Sequence, residues 1–328
     1  MAKDPDPLFS DDSILDVRIV APFKQIMQER PIDEEIPGTF SFVAADGSSG
    51  EFAVDIRTRG NNRRREDVCP FAPLRLDFKK DDLDDTLFDK QDKLKLVTHC
   101  DNGSKVYQQA VIKEYLAYRV FNAVTDISFR VRLLRITYEY SDKKNDEEIT
   151  YAFLIESKER LAKRIGLEEQ ELNAMSVTLL DQEYTNLSSV FEYLIGNLDF
   201  SPVIGATGEV CCHNYALFSA DRKTYWSIPY DFDLTGFVEA PHHNLNPKFK
   251  QRNARQRVYR GRCYNQDFVP ASLQKFRDQR ATIEAVVATQ PELEKSTRKR
   301  IQSYLKSFYK LLDKEDKLVK EFADDCIG

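Results

Sequence analysis

Hydrophobic and polar residues alternate with the two-residue period of a β-strand through most of the first half of the chain. The clearest case is residues 73–79, where Leu74, Leu76 and Phe78 would share one face of a strand. The same alternation, bounded by polar turns, predicts six more strands. Their expected bounds are 14–20, 39–43, 52–56, 93–97, 130–140 and 149–157.

Apolar residues then recur at every third or fourth position, which is the period of an α-helix. This period predicts a helix over 108–124, an amphipathic helix over 188–198 and two or three highly charged helices over 271–325. Two short strands are expected around Ala216 and Ser227. The second half of the chain is therefore mainly helical.

An order of strands followed by helices is typical of an α+β fold, here with two lobes. We place a strand-rich N-terminal lobe with one main helix at 1–157 and a helix-rich C-terminal lobe at 158–328. A chain of 328 residues is long enough for both lobes. No apolar run reaches the roughly 18 residues that cross a bilayer, so no membrane span is expected.

Charge and cysteine content narrow the class of protein. The net charge of −6 provides no general attraction for nucleic acid, so nucleic acid is not the expected partner. Six cysteines without a Cys-x-x-Cys pair favour one or two disulfides in an oxidising compartment, with buried thiols as the alternative. The polar N-terminal segment carries no export signal, which fits either a cytoplasmic protein or an exported one after signal removal. We favour the periplasm or the extracellular space, and the oligomeric state stays open.

The segment 229–236 places Asp231 and Asp233 two residues apart within an apolar, aromatic stretch. In an extended strand both side chains would point to one face, about 6–7 Å apart. Two charges at that distance repel by roughly 2.5 kcal/mol at an effective dielectric of about 20. A cation, a proton or a basic side chain should therefore offset the repulsion. A hydrogen-bonded pair in a turn is the alternative.

Further polar residues precede this pair in the sequence, namely Asp199 and the dipeptide His213-Asn214. With Asp231 and Asp233 they form an ordered set of hard oxygen ligands, which suits Mg²⁺ or Mn²⁺ better than zinc. We predict that Asn214, Asp231 and Asp233 are the metal ligands. For His213 a structural role is the simpler expectation than a role as a ligand or a base.

These motifs, in this order, resemble the spore-coat protein H-like (CotH) family of atypical kinases over residues 55–237. The resemblance implies a divergent protein-kinase-like fold of two lobes, which uses ATP with a divalent metal ion and phosphorylates protein hydroxyls. It rests on Arg57-Thr58-Arg59-Gly60-Asn61, residues 74–79, Lys93-Leu94-Lys95-Leu96, Lys113-Glu114-Tyr115-Leu116-Ala117, Phe153-Leu154-Ile155-Glu156, Asn197-Leu198-Asp199, His213-Asn214 and Pro229-Tyr230-Asp231-Phe232-Asp233.

The resemblance implies three roles in the C-terminal lobe. Asp199 resembles the catalytic-loop aspartate, which accepts the proton of the substrate hydroxyl. Asp231 resembles the aspartate of the kinase Asp-Phe-Gly motif, which binds a metal ion, and Asn214 resembles the second metal ligand. In the N-terminal lobe the resemblance implies contacts with the nucleotide from Arg59, Asn61, Arg75, Lys95, Glu114 and Glu156.

Four of these N-terminal residues have specific places in the family pattern. Arg59 and Asn61 occupy the place of the loop that covers the phosphates, and a solvated basic face is the alternative. Glu114 takes the place of the helix glutamate that pairs with a basic strand residue, although a solvated glutamate is the common outcome on such a helix. Glu156 lies where a strand would enter the hinge between the lobes.

Two residues depart from the family pattern. Phe200 stands where a basic residue commonly follows the catalytic aspartate. Arg75 stands at the position of the usual strand lysine, unless Lys79 or Lys95 takes that role, and arginine does not reproduce the compact charge of lysine. A catalytically weak or inactive module that binds a nucleotide or a partner is therefore the alternative function.

A basic segment at 248–262 carries seven lysines and arginines, interleaved with Phe249 and Tyr259. We expect a flexible, solvated loop, with docking of an acidic or surface-associated protein substrate as the second interpretation. Salt-sensitive binding of nucleic acid is a third interpretation.

Overall fold

The computed structural model describes residues 3–101, 103–206, 208–249 and 251–328. These residues form two compact units, each of which is described by itself. The first, the barrel unit, comprises residues 3–115 and 130–157. The second, the helical unit, comprises residues 116–129 and 158–328. Together they contain both helices and strands in quantity, so the chain is of the mixed α+β class.

The barrel unit is built on seven strands that close on themselves in the order β1-β2-β3-β4-β5-β7-β6. Strands β1 and β6 pair in parallel, and the other neighbours pair antiparallel. The strands are β1 (Leu15–Ala21), β2 (Ile36–Val43), β3 (Ser49–Thr58), β4 (Leu74–Phe78), β5 (Lys93–Val97), β6 (Val131–Tyr140) and β7 (Glu147–Ile155). The helices are α1 (Pro7–Ser10), α2 (Phe23–Glu29) and the part of α3 (Lys105–Val124) up to Tyr115.

Alternation of side chains explains why these segments form a barrel. On β4 the apolar side chains of Leu74, Leu76 and Phe78 are fully or almost fully buried, and the polar residues between them are half-buried. The rings of Phe40 and Phe88 lie 5.1 Å apart, and the ring of Phe78 lies 5.2 Å from Phe40 and 5.7 Å from Phe88. Burial of such rings is the main stabilising contribution to a core of this kind. All seven strands that the sequence predicts are confirmed.

The helical unit contains a small antiparallel sheet in the order β10-β9-β8. Its strands are β8 (Glu168–Gln170), β9 (Tyr215–Ser219) and β10 (Trp226–Pro229). Besides the end of α3, its helices are α4 (Lys158–Ile165), α5 (Gln182–Ile195), α6 (Val269–Asp278), α7 (Arg280–Ala288), α8 (Lys295–Leu312) and α9 (Glu315–Asp325). The strands expected around Ala216 and Ser227 are thus confirmed as β9 and β10.

The C-terminal region contains four helices, α6 to α9, where the sequence predicts two or three. Gln279 alone separates α6 from α7, and a gap this short leaves the apolar period almost unbroken. Pro291 lies in the gap between α7 and α8, and it cannot donate a backbone hydrogen bond. Two residues, Asp313 and Lys314, separate α8 from α9. The number of helices was therefore wrong, although the helical character was predicted.

Helix α5 begins and ends earlier than the predicted range 188–198. The side chain of Asp181 accepts a hydrogen bond from the N–H of Tyr184 at 2.8 Å and caps the first turn. Gly196 adopts a left-handed conformation with φ of 67° and ends the helix. Side chains from Tyr184 to Ile195 are buried on every side, so α5 is a core helix and not an amphipathic one. The chain after Gly196 is consequently free to form the loop that carries Asp199.

All cysteines are paired in disulfides, which join Cys69 to Cys100, Cys211 to Cys212 and Cys263 to Cys326. The sequence favoured one or two such bonds, and the structure has three. The last of them closes a loop across 63 residues, which restricts the unfolded chain. Among the described residues, no helix combines the length and the apolar character needed to cross a bilayer.

Candidate active site

Strands β9 and β10 bring Asn214 and Asp231 to the same end of a hairpin. Tyr215, the first residue of β9, is opposite Pro229, the last residue of β10. In an antiparallel pair, the residues just before one strand and just after the other lie side by side. Here the N–H of Tyr230 donates to the carbonyl of Asn214 at 3.0 Å. Asp231 directly follows Tyr230, so Asn214 and Asp231 lie at the same end of the hairpin although they are 17 residues apart in the sequence.

The loop after α5 brings Asp199 to the same place. Ser201 and His213 form an antiparallel bridge, in which the N–H of Ser201 donates to the carbonyl of His213 at 2.9 Å. This bridge closes the intervening loop at its base. The side chain of Asn197, which is buried, accepts a hydrogen bond from the N–H of Asp199 at 2.9 Å. The hydrogen bond to Asn197 and the bridge at Ser201 therefore hold the backbone before and after Asp199 in place.

Three hydrogen bonds orient Asp199 against His213 and Asn214. Nε2 of His213 lies 3.0 Å from Oδ1 of Asp199. Nδ2 of Asn214 donates to the backbone carbonyl of Asp199 at 2.6 Å and to its Oδ2 at 3.1 Å. The Asp199 side chain nevertheless keeps 40% of its surface exposed. A carboxylate that is fixed yet accessible can accept a proton from an incoming hydroxyl.

His213 is a charge partner for Asp199. The hydrogen bond to the Asp199 carboxylate raises the pKa of His213, burial opposes the shift, and the charges of Asp199, Glu209 and Asp231 raise this pKa further. A raised pKa favours the protonated imidazole, which donates a hydrogen bond to the carboxylate. The structural role expected for His213 stays a prediction.

Asp231 and Asp233 do not follow the extended geometry that their spacing suggested. Asp231 adopts a left-handed conformation with φ of 67°, and its N–H donates to the hydroxyl of Tyr118 at 2.8 Å. The ring of Phe232 packs 4.5 Å from Tyr118 and 5.3 Å from Phe191. The chain has already left β10 at this point, so strand alternation does not set the two carboxylates on one face. That expectation was wrong.

Asp233 has a partner that the sequence analysis missed. Its Oδ2 lies 2.8 Å from Nε2 of His242, and both side chains are largely buried. His242 and His243 are adjacent in the sequence, yet no motif spacing connects them to Asp233. His242 therefore gives the Asp233 carboxylate a buried hydrogen-bond partner.

The oxygen donors of this region fit a hard divalent cation. Asn214 uses its Nδ2 on Asp199, which leaves its Oδ1 as the atom for a metal ion. Asn214 and Asp231 both adopt left-handed conformations, which asparagine and aspartate tolerate better than most residues. Such conformations concentrate at functional sites. Asp233 fits less well, because His242 already engages one of its oxygens.

In the barrel unit, Arg75 and Lys95 lie directly opposite each other on β4 and β5. Arg57 on β3 lies opposite Arg75, so three cationic residues form a row across adjacent strands. Like charges at opposing positions destabilise a sheet unless an anion offsets them. Glu35 lies 3.5 Å from Arg57 and supplies part of that charge. The sequence analysis missed Arg57 as a member of the row, because strand register is not readable from a single strand.

Glu114 and the loop after β3 are also linked within the barrel unit. Glu114 is buried and lies 3.6 Å from Nη1 of Arg63, which donates from Nη2 to the carbonyl of Thr98 at 2.7 Å. A solvated Glu114 is therefore wrong, and the side chain of Arg63 is largely buried as well. The N–H of Arg59 donates to the carbonyl of Pro73 at 2.9 Å, and Asn61 is exposed. Glu114 thus has a basic partner, and it comes from this loop.

Glu156 follows the last residue of β7 and is almost fully buried. Its Oε2 accepts a hydrogen bond from the N–H of Arg130 at 3.1 Å, and its own N–H donates to the carbonyl of Arg130 at 2.9 Å. The residue therefore ties the end of β7 to the start of β6. A contact between Glu156 and a nucleotide stays a prediction.

No protein-family model matches the chain, and no curated protein matches it. Among solved structures, the chain is similar to the proinflammatory kinase CtkA of Helicobacter pylori, with 9% sequence identity and a TM-score of 0.45. The similarity covers 77% of this chain and 92% of that kinase chain. It is too distant to establish a fold or an activity for this chain.

The basic segment 248–262 is not the flexible, solvated loop that was expected. Its arginines donate to backbone carbonyls of the helical unit: Arg257 to Leu194 and Tyr304, and Arg260 to Leu198 and Phe200. These two arginines hold the segment against the helical unit, and docking of an acidic protein or a nucleic acid on the segment stays a prediction. Lys250, which belongs to the predicted basic segment, lies outside the described residues.

Glu192 is a further polar residue that sequence reasoning missed. It lies on α5 among apolar neighbours, and burial raises its pKa to about 8. The side chains of Asn197 and Tyr215 are the polar groups that lower this pKa, but neither completes a full hydrogen bond to the carboxyl oxygens. Desolvation has the largest effect on the pKa of Glu192, because the side chain is almost fully buried.

Proposed function

We propose that this chain is a metal-dependent phosphotransferase that uses ATP to phosphorylate protein hydroxyls, a protein kinase of the CotH type. The observation that carries the proposal is that the Asp199 carboxylate is both hydrogen-bonded in place and partly exposed. Hydrogen bonds from His213 and Asn214 fix its carboxylate, and 40% of the side chain stays exposed. A base in this state is suited to an acceptor that arrives from solvent.

Phosphoryl transfer requires positioning and neutralisation of charge more than covalent catalysis. Asp199 would accept the proton of the acceptor hydroxyl. Asn214 and Asp231 would hold Mg²⁺ or Mn²⁺, with Asp233 as a weaker ligand beside His242. A bound metal ion would neutralise negative charge on the phosphates.

The barrel unit contributes positive charge in this proposal. We assign the cation row of Arg57, Arg75 and Lys95 to contacts with phosphate oxygens, because cationic side chains form charge-assisted hydrogen bonds with phosphate. Arg59 and Asn61 would contribute from the adjacent loop. Glu114 would act through Arg63, which it already holds.

A nucleotide-binding module without transfer activity is the second candidate, and one observation favours it. Arg75 occupies the position of the usual strand lysine, and its Nε is buried without a hydrogen-bond partner among the described residues. A guanidinium and an ammonium group place their charge differently on a phosphate. Binding of ATP with Mg²⁺ but no transfer would select this candidate.

The test is transfer of labelled γ-phosphate from ATP by the native chain. Reactions contain Mg²⁺ or Mn²⁺, or an excess of chelator, with myelin basic protein as a generic acceptor and a lane for autophosphorylation. We expect label that requires the metal ion, because the site is rich in oxygen ligands. Absence of label with either metal would contradict the kinase proposal. Thermal stabilisation by metal and ATP in that case would support the binding module.

A further inference from the structure

Arg260 spans the backbone on both sides of the candidate catalytic base. Its Nη1 donates to the carbonyl of Leu198 at 2.8 Å and to the carbonyl of Phe200 at 2.9 Å. These two residues are the immediate neighbours of Asp199 in the chain. One guanidinium nitrogen therefore fixes the peptide group before Asp199 and the peptide group that follows Phe200.

Aromatic contacts hold the Arg260 guanidinium in place. Its Cζ lies 4.6 Å from the ring centroid of Phe200 and 4.6 Å from that of Phe249. Cations over aromatic faces are attracted by the ring quadrupole, and the attraction grows when water is excluded. Burial lowers the pKa of Arg260, as does the charge of Arg262, and Tyr215, Glu192 and Asp199 raise it. An arginine in these surroundings still keeps its charge.

We propose that Arg260 is a positioning residue that sets the orientation of the Asp199 loop for phosphoryl transfer. This inference rests on the proposed function. It also accounts for Phe200, which stands where a basic residue commonly follows the catalytic aspartate. Phe200 supplies the ring on which Arg260 stacks, so a distant arginine provides the positive charge that the loop itself does not contain.

The expected defect is one of turnover. Without Arg260, Asp199 keeps its bonds to Asn197, His213 and Asn214, so the loop loses one of several constraints. Misplacement of a reacting group by about 1 Å can lower a rate by roughly 100-fold. We therefore expect Arg260→Met to lower kcat by about 10- to 100-fold and to leave KM for ATP within about threefold.

Arg257 provides a matched control in the same segment. It donates to the carbonyls of Leu194 and Tyr304 at 3.0 Å each, and its Cζ lies 3.8 Å from the Tyr304 ring centroid. Arg257 thus resembles Arg260 in chemistry and contacts, but it bonds to no residue of the Asp199 loop. Arg257→Met should lower thermal stability and leave kcat per folded molecule near the native value.

A second measurement does not depend on activity. Amide hydrogen exchange over residues 198–201 should be faster in Arg260→Met than in the native chain, and unchanged in Arg257→Met. Arg260→Lys, which keeps the charge but presents a single ammonium group, should recover part of both properties. It also serves as the test variant if Arg260→Met does not fold.

The outcomes separate this inference from the proposed function. If the native chain transfers no phosphate but exchange over 198–201 rises only in the Arg260 variants, the kinase proposal fails and the loop-fixing contact stands as structural. If the native chain transfers phosphate and the Arg260 variants match its kcat and exchange, the positioning inference is overturned. Equal losses of kcat in the Arg257 and Arg260 variants would also overturn it.

Discussion

Replacement of Asp199 by asparagine is expected to lower the rate of phosphoryl transfer by about 10²- to 10⁴-fold, the usual contribution of a general base. The amide has nearly the shape of the carboxylate, so the loop should keep its contacts with Asn197 and His213. It cannot accept the hydroxyl proton. Binding of ATP with metal should change little, because the ligands assigned to the metal ion are Asn214 and Asp231. The loss should therefore be seen in kcat.

Asp221 supplies the control carboxylate for this prediction. It lies in the turn between β9 and β10, where its Oδ1 accepts hydrogen bonds from the N–H groups of Lys223 and Thr224 at 2.8 and 3.0 Å. Asp221→Asn should transfer phosphate at the native rate. A similar rate for Asp199→Asn would show that Asp199 is not the base. The measurement is the initial rate with saturating ATP and each metal ion.

The stability of the helical unit is expected to fall as pH rises from about 5 to 8, because of Glu192. A glutamate in the unfolded chain has a pKa near 4.5, and burial raises the pKa of Glu192 to about 8 in the folded chain. Between these values the unfolded chain releases a proton that the folded chain keeps, so rising pH favours unfolding. The slope approaches roughly 1.4 kcal/mol per pH unit, and the total loss is up to about 4 kcal/mol.

Glu192→Gln removes this titration and keeps the size of the side chain. We expect the variant to have a higher Tm than the native chain at pH 8 and a similar one at about pH 3, where the native carboxyl is protonated in both states. Thermal unfolding followed by circular dichroism over this pH range measures the difference. Parallel pH profiles for the two proteins would contradict the assignment.

The strands of the barrel were predictable from the sequence because their signal is local, whereas the closure of the barrel was not predicted. Alternation in residues 73–79 reflects burial on one face of β4, and the register of neighbours is not needed to see it. The number of C-terminal helices was not predictable, because a single residue, Gln279, separates α6 from α7. The C-terminal end of α5 depends on Gly196, a position where an added Cβ would also meet the hydroxyl of Tyr304. Helix ends of this kind depend on capping and on tertiary contacts, which the spacing of apolar residues does not reveal.

The residue types of the candidate site were predictable from the sequence, but the contacts that bring these residues together were not. Asp199, Asn214 and Asp231 are recognisable from short motifs. The bridge between Ser201 and His213 that unites them is a tertiary contact. Arg260 contacts residues that lie 60 and 62 positions away, so a basic segment that looked solvated proved to be structural.

The most direct test of the account is the position of Mn²⁺ in crystals grown with a non-hydrolysable ATP analogue. An anomalous difference map at the manganese edge locates the ion without assumptions about the protein. The account predicts manganese bound by side-chain oxygens of Asn214 and Asp231, at roughly 2.2 Å. Manganese bound only at other residues, or the analogue bound with no manganese at these two side chains, would contradict it.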